Sequence, residues 1–550
     1  MANGARPETA TLIPQPGGSL PEASLPWAGA DLAWLAGLCL AAYAFYLPVL
    51  GFDFVFDDRP FILQNPSLLS WHSVPQFFTA HLVAFLHPHS QGTYYRPCLL
   101  LWLWVQHKLW NLHPMGWHLS TLTLHVLASL SVYMLAREIL RRRFGAGVAA
   151  LVFALHPAHV ESAAWIMGLP DPLMTLFAVS ALVCHIRRRR SLGPSRPIWA
   201  ATSLWLYAAA VLTKEVALTV PALMFAYEWI FPPLATGGSK GLAGRFRDSL
   251  VPTLGYWGVT GVYLAARWAA LGGLSHPLTP LAWQTMLATW PAVLWLHLKL
   301  LVWPVGLSAF YDVPYTTHLG LTAFALPLAA VVACGMLLLR LGGKSPQRAF
   351  AGVWLFLPMA LLLNLRVFPQ GEIVHDRFMY FSSVGFSILT ALGMEWFAAS
   401  PGFPFSIRAR QAGTVAALGI LLGGATIYYE RWPSLPATTW QPTTSPRTFR
   451  TSGGTKRRWR FMSAFWRALL ITRWLDTIWA IANTGPGASK KPARISRAPS
   501  PSTLRNRSPT SIWASRIFAP ATWRKRLQTF NKRSRSVRKT RLTGSVWAWS

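Results

Sequence analysis

Charge is scarce in this 550-residue chain: Asp, Glu, Lys and Arg make up only 13% of it, against 53% hydrophobic residues. That balance excludes a soluble globule, whose surface must hold water, and fits a chain that crosses a membrane many times. Cysteine is scarcer still. The four present, Cys39, Cys98, Cys184 and Cys334, show no CxxC spacing, which excludes a disulfide framework and a cysteine-based zinc site. Residues 1–28 lack both the basic n-region and the small-residue cleavage site of a signal peptide, so the first apolar segment is expected to remain as an anchor. Acid is missing from one region in particular. Residues 434–550 hold 24 Lys and Arg but a single acid, Asp476, and neither Glu nor Tyr, for a net +23. Residues 1–433 hold 27 basic and 17 acidic residues, for a net +10.

What is present is a series of long apolar runs. A spanning helix needs roughly 20 mostly apolar residues, and twelve candidates lie near 32–50, 117–136, 144–160, 171–186, 198–212, 215–232, 250–270, 283–303, 319–339, 350–366, 378–398 and 411–428. Short cytoplasmic loops are enriched in Lys and Arg. Five basic clusters test the count: Arg137 with Arg141–Arg143; Arg187–Arg190 with Arg196; Lys240, Arg245 and Arg247; Arg340, Lys344 and Arg348; Arg408 and Arg410. All five fall inside only if one candidate does not cross. The run 283–303 carries His297 and Lys299 and ends at Trp303-Pro304, which suits an interfacial or re-entrant helix on the outer side. Eleven crossings remain. The N-terminal segment 1–31 is then cytoplasmic, the membrane domain covers 32–430, and residues from 429 onward lie outside.

This topology collects the unusual polar residues on one side. The first external loop, 51–116, holds Asp57, Asp58, Arg59, Tyr94, Tyr95 and Arg96. The same side receives His156, His159, Glu161, Asp171, Lys214, Glu215, Tyr311, Asp312, Glu372, His375, Asp376 and Arg377. Two turns lie below the surface. Arg143 to His156 and Ile198 to Thr213 span only about 20 Å and about 23 Å as helix, short of the ~30 Å hydrocarbon core. Charged turns at that depth are tolerable only where they line a protein cavity, so a polar cavity opening at the outer face is expected.

Two adjacent carboxylates, Asp57 and Asp58, suit general-base work or a divalent cation, while Arg96, Lys214 and Arg377 suit a phosphate whose charge grows as it leaves. Together they point to glycosyl transfer from a polyprenyl-phosphate sugar. Plainer readings stand beside this one. Asp57 can cap a helix beginning near Pro60, Asp58 can pair with Arg59, His156 and His159 can be wall or capping residues, and Lys214-Glu215 can be an intramembrane ion pair. A transporter fits less well, because the ionisable residues gather near one face and not around the midplane.

Six segments in order, FVFDDRPFILQNP, YRPCLLL, HPAHVESAAWIMGLPD, TKEVALTVPAL, PVGLSAFYDVP and HDRFMYFSSVG, resemble the transmembrane, tetratricopeptide-repeat-containing protein O-mannosyltransferases and their bacterial relatives. The resemblance covers about residues 33–430. It implies an all-α polytopic GT-C fold with a catalytic cavity on the external side, a sugar donor on dolichyl or undecaprenyl phosphate, and a protein Ser or Thr as acceptor. The membrane would be a bacterial inner membrane, or the endoplasmic reticulum in a eukaryote, and mannose is the expected sugar. By position Asp57 and Asp58 match the family's acidic pair and would hold any divalent metal. Arg96 matches its YRP arginine, and His156, His159 and Glu161 its HPxHxE element. Lys214-Glu215 match its KE, with Asp376 and Arg377 before the tyrosine-rich helix. One departure is Leu169, where the family's G-R-x-D has arginine. That lost cation favours an alternative, an impaired membrane-embedded binder of the lipid carrier, unless another cation replaces it.

Family members continue into tetratricopeptide repeats, and residues 431–550 do not read as such. A basic tail with KRSRSVRKTR at 532–541 suggests nucleic acid, but the topology places it outside, where none is expected. TIWA at 477–480, SIWA at 511–514 and SVWA at 545–548 recur every 34 residues, the tetratricopeptide period. Leu-Gly codons read one base forward give Trp-Ala, and Tyr-Asn-Leu-Gly gives Thr-Ile-Trp-Ala. The tail is therefore expected to be an out-of-frame reading of repeat-coding DNA, with the frame lost around 430–455 and no stable fold.

Overall fold

The computed structural model describes residues 27–430, apart from 87–91, 192–193, 233–240, 275, 278–279, 309–310, 344, 369–371 and 401–405. The N-terminal segment up to residue 26 and the whole 431–550 tail lie outside the described residues. The described chain is helical throughout, without a strand. Its α-helices are α1 (Gly29–Tyr46), α2 (Pro97–Trp110), α3 (Pro114–Leu140), α4 (Arg143–Leu155), α5 (Val160–Ala164), α6 (Pro170–Arg190), α7 (Ser195–Thr213) and α8 (Val220–Ile230). They continue with α9 (Leu242–Leu250), α10 (Leu254–Leu271), α11 (Trp283–Val302), α12 (Leu326–Gly342), α13 (Pro346–Phe356), α14 (Ser383–Ala399) and α15 (Ile407–Glu430). In hydrocarbon each backbone group must find its partner within the segment, which leaves helices as the available element.

Seven of these segments are long and apolar enough to cross a membrane: Gly29–Gly51, Pro114–Leu140, Ile166–Arg190, Trp283–Val302, Leu321–Gly342, Pro346–Leu363 and Ile407–Glu430. Arg143–Leu155 and Pro157–Ala164, bent by 52°, make an eighth if taken as one span. The protein is thus a multi-pass membrane protein. Of the other expected spans, 198–212 forms the unbroken 19-residue α7, and the rest form shorter or broken helices. Residues 215–232 split into a 3-10 turn and the 11-residue α8, and the run expected at 378–398 begins only at Ser383.

Burial separates a centre from a rim. The best spanning window of α6 is 83% buried and that of α3 67%, against 6% for the α12 segment and 11% for α15. Lipid is as apolar as leucine, so helices associate through close packing of small residues. In α4, Ala146, Ala149, Ala150 and Ala154 are fully buried. Where α14 crosses α13, a Cβ on Gly385 would stand 2.4 Å from Ala351 O and 2.6 Å from Leu355 N; only glycine fits.

Ionisable side chains gather at the two ends of the bundle. At one end Asp31, at the start of α1, takes Arg137 Nε at 2.7 Å and Arg143 Nε at 2.9 Å. Glu138 there takes Arg187 and Arg190, and Glu228 takes Arg189 and His185. This is the end that carries the arginine clusters 137–143 and 187–190. The opposite end carries the expected site.

Helix α11 has both its ends there. Near its start Arg366 Nε donates to Leu281 O at 2.8 Å and Trp290 Nε1 to Leu363 O at 2.7 Å. Near its end His156 Nε2 meets Leu301 O at 2.9 Å, and Gly306 N donates to the Tyr429 hydroxyl at 2.9 Å. The sequence reading passed over α2. It lies wholly within the loop 51–116 and is tied back to that loop by Lys108 Nζ, which donates to Leu69 O at 2.7 Å.

Candidate active site

The acidic pair divides into two unlike residues. Asp58 is fully buried. Its Oδ2 accepts from Val55 N at 3.0 Å and its Oδ1 from Met167 N at 3.0 Å, which ties the first loop to the turn before α6. Burial pushes its carboxyl up to about 7, against the two amides and with a smaller push from Asp57. Asp57 is exposed, and its carboxylate has no hydrogen bond or ion pair to any described residue. Although it reaches solvent, the surrounding protein desolvates it enough to raise its carboxyl above the ordinary value, with Arg377 acting in the opposite sense. Phe56, just before it, holds φ at 45°, a region that costs a bulky residue strain and that clusters at functional sites.

Both plainer readings of this pair are thereby corrected. Asp58 bonds two amides and no Arg59 guanidinium, and the turn 59–63 has no side-chain cap. A divalent cation fits poorly. Asp58 has both oxygens on amides, and among the described residues no group of three His, Cys, Asp or Glu side chains is placed to hold a metal.

The remaining carboxylates are paired with cations. Glu161 Oε2 accepts from Arg377 N at 2.8 Å, and its Oε1 takes the Arg377 guanidinium and, at 3.6 Å, His375 Nδ1. Arg377 also lies 5.1 Å from the Trp165 ring. Asp171 and Lys214, both nearly buried, pair at 2.5 Å, as expected for charges in recessed turns. Glu215 Oε2 accepts from Arg96 Nε and Nη2 at 3.0 and 2.8 Å, and Arg96 stacks 4.5 Å from the Tyr94 ring. Asp171 feels Lys214, Arg377 and Arg96 together, so these pairs form one constellation. Asp376 accepts from the Tyr311 hydroxyl at 2.5 Å. A buried ion pair of this kind survives only where each partner keeps the other.

Lys214-Glu215 is not a pair of neighbours, then: each member takes a partner from elsewhere. His156 and His159 serve packing. His156 Nδ1 accepts from Ala158 N at 3.2 Å while its Nε2 meets Leu301 O. His159 Nδ1 donates to Phe153 O at 2.7 Å and its Nε2 lies 2.8 Å from Ser383 Oγ. Both rings are buried with both nitrogens hydrogen-bonded, and His156 caps the turn 157–159, as the capping reading expects.

Leu169 is fully buried in an apolar cluster with Phe61, Leu99 and Leu173, so its side chain packs away from the ion pairs. Arg267, which the sequence reading missed, supplies a further cation: its Nη1 donates to Glu215 Oε1 at 3.2 Å. An arginine inside the apolar run 250–270 was the available signal, because intramembrane charges are functional candidates by default.

A family model described as dolichyl-phosphate-mannose-protein mannosyltransferase matches residues 104–274, the stretch that carries Glu161, Asp171, Lys214, Glu215 and Arg267. A protein O-mannosyl-transferase of Caenorhabditis elegans is 26% identical over 361 residues, 63% of this chain and 49% of that protein. The Mus musculus protein O-mannosyl-transferase TMTC3 is 27% identical over 388 residues, 64% of this chain and 41% of that protein. The chain is thus similar to membrane O-mannosyltransferases over its membrane domain. It spans about half of the first relative's length and less of the second's. Among solved structures, the archaeal oligosaccharyltransferase AglB from Archaeoglobus fulgidus, in complex with an inhibitory peptide and a dolichol-phosphate, aligns at TM-score 0.38 and 14% identity. The alignment covers 74% of this chain and 56% of that one.

Proposed function

We propose that this protein moves a sugar, mannose by its family, from a polyprenyl-phosphate carrier to a protein Ser or Thr hydroxyl on the external face. The observation that carries the reading is Asp57. Of the six carboxylates in the constellation it alone has no hydrogen bond or ion pair among the described residues, and a guanidinium, Arg377, acts on it. In the reaction Asp57 takes the proton of the acceptor hydroxyl, and the freed oxygen attacks the anomeric carbon. The bond from that carbon to the phosphate oxygen breaks, and the polyprenyl phosphate leaves with the electron pair. Lys214 uses one donor on Asp171, leaving it and Arg96 able to steady that phosphate, as charge-assisted bonds do best where charge develops. Asp58 fixes the loop from which Asp57 acts. The carrier-binding alternative draws its support from the missing arginine at 169; Arg267, a further cation on Glu215, supports the transfer reading instead. The deciding experiment is transfer from labelled polyprenyl-phosphate mannose to Ser/Thr peptides by the purified protein. Turnover that is absent in the wild type, or that survives Asp57→Asn undiminished, rejects the reading.

A further inference from the structure

Glu215 differs from Glu161 and Asp171, the other ion-paired carboxylates of the site, in having two arginines. Glu161 has one Arg partner and Asp171 one Lys, whereas Arg96 and Arg267 bracket Glu215 from its two oxygens. Within these three pairings, Glu161 is matched by Arg377 and Asp171 by Lys214, and Glu215 would be matched by Arg96 alone if Arg267 were absent. Arg267 is therefore the second cation on Glu215, beyond the one that a single carboxylate requires.

The two arginines are held differently. The Arg267 guanidinium is anchored on three further oxygens: Thr93 O at 2.7 Å, Leu274 O at 2.8 Å and the Tyr263 hydroxyl at 3.3 Å. So placed, it cannot leave Glu215 for a ligand. Arg96 meets only Glu215, through Nε and Nη2, and the face of Tyr94. Its Nη1 has no hydrogen-bond partner among the described residues.

We propose that Arg267 is a positioning residue that takes up the charge of Glu215 and so leaves Arg96 free to bind the phosphate of an anionic polyprenyl carrier. The inference rests on the proposed reaction, since it concerns how that site holds its donor. It differs from a purely structural role for Arg267, in which the guanidinium merely clamps the Thr93 and Leu274 carbonyls.

The test measures binding of decaprenyl phosphate and of decaprenol, which lacks the phosphate, to the full chain in lipid nanodiscs. Arg267→Gln is expected to weaken decaprenyl phosphate by about tenfold, the size of effect a nearby charge has at a partly screened site, and to leave decaprenol unchanged. Glu215→Gln removes the charge that Arg267 neutralises, and is expected to raise the preference for the phosphate. The opposite sign follows if Glu215 only holds Arg96 in place. Full preference in Arg267→Gln, or a reduced one in Glu215→Gln, overturns the inference. Should Arg267→Gln fail to give monodisperse protein, the sign in Glu215→Gln decides alone. A wild type that does not prefer the phosphate at all counts instead against the proposed function.

Discussion

Asp57 and Asp58 stand side by side and face opposite tasks, so their amide variants should fail in different ways. Asp57→Asn is expected to keep expression and melting behaviour while transfer falls by about 10²–10⁴-fold, the usual range for a general base. Asp58→Asn keeps an oxygen for one of the two amides and loses the other acceptor, so its first effect should be on the loop. Protonation gives a sharper readout. The Asp58 carboxyl is raised to about 7 when folded and lies near 3.9 in an unfolded chain. Between those values the folded protein binds the extra proton, so stability falls as pH rises across that window. Asp58→Asn has no such proton. The melting temperature of the wild type, measured against the variant from pH 4 to 7, should therefore drop with rising pH; a flat difference would mean that Asp58 is solvated like an ordinary carboxylate. The adjacency of the pair was legible in FVFDDRP. The division of labour was not, because the deciding partner is the backbone amide of Met167, which has no sequence signature at all. The settings of His156 and His159 were hidden for a similar reason: each ring has one nitrogen on a backbone carbonyl, and every residue type offers a carbonyl.

At the scale of elements, the sequence is most informative where two signals agree and least where one is short. The run 283–303 was set apart by a loop-charge count, and α11 now shows both of its ends bonded to the site end of the bundle. Its length alone, 20 apolar residues, says the opposite. A helix of that length crossing the bundle would separate its ends by roughly 30 Å, so labelling of the two ends tests the assignment. Cysteines introduced as Leu281→Cys and Gly306→Cys should both react with an impermeant external reagent, and a reporter after Arg348 should be cytoplasmic. Labelling of only one of the two cysteines would sink the non-crossing assignment. Helix α2 escaped because its 14 residues are too few for a span and its Trp-rich pattern follows no clean 3.6 period. Close crossings are equally invisible in sequence. Gly385 looks like any helix glycine, yet Gly385→Ala would drive a methyl into the α13 backbone and is expected to cost about 1–3 kcal/mol, read as a lower melting temperature. An unchanged melt would show that α13 and α14 can separate without penalty.

For the molecule as a whole, the net charge of +33 describes no single object. Residues 1–433 carry a net +10, and most of the excess belongs to residues 434–550, which hold one acid against 24 bases. Selection for a basic function would account for the arginines, but it gives no reason for Trp-Ala to return at intervals of 34 residues in TIWA, SIWA and SVWA. A displaced reading frame does. The period belongs to the DNA of helical hairpin repeats, and it survives a shift that replaces every residue. The nucleotide sequence checks the idea directly. Adding or removing one base near codons 430–455 should open a frame with Leu-Gly wherever Trp-Ala now stands at those three positions, and with Tyr or Phe and Asn or Ser before it. The restored chain should carry several 34-residue repeats rich in Ala, Leu, Glu and Tyr. If neither shifted frame reads so, the frame-break account fails and the basic tail requires a selected role of its own.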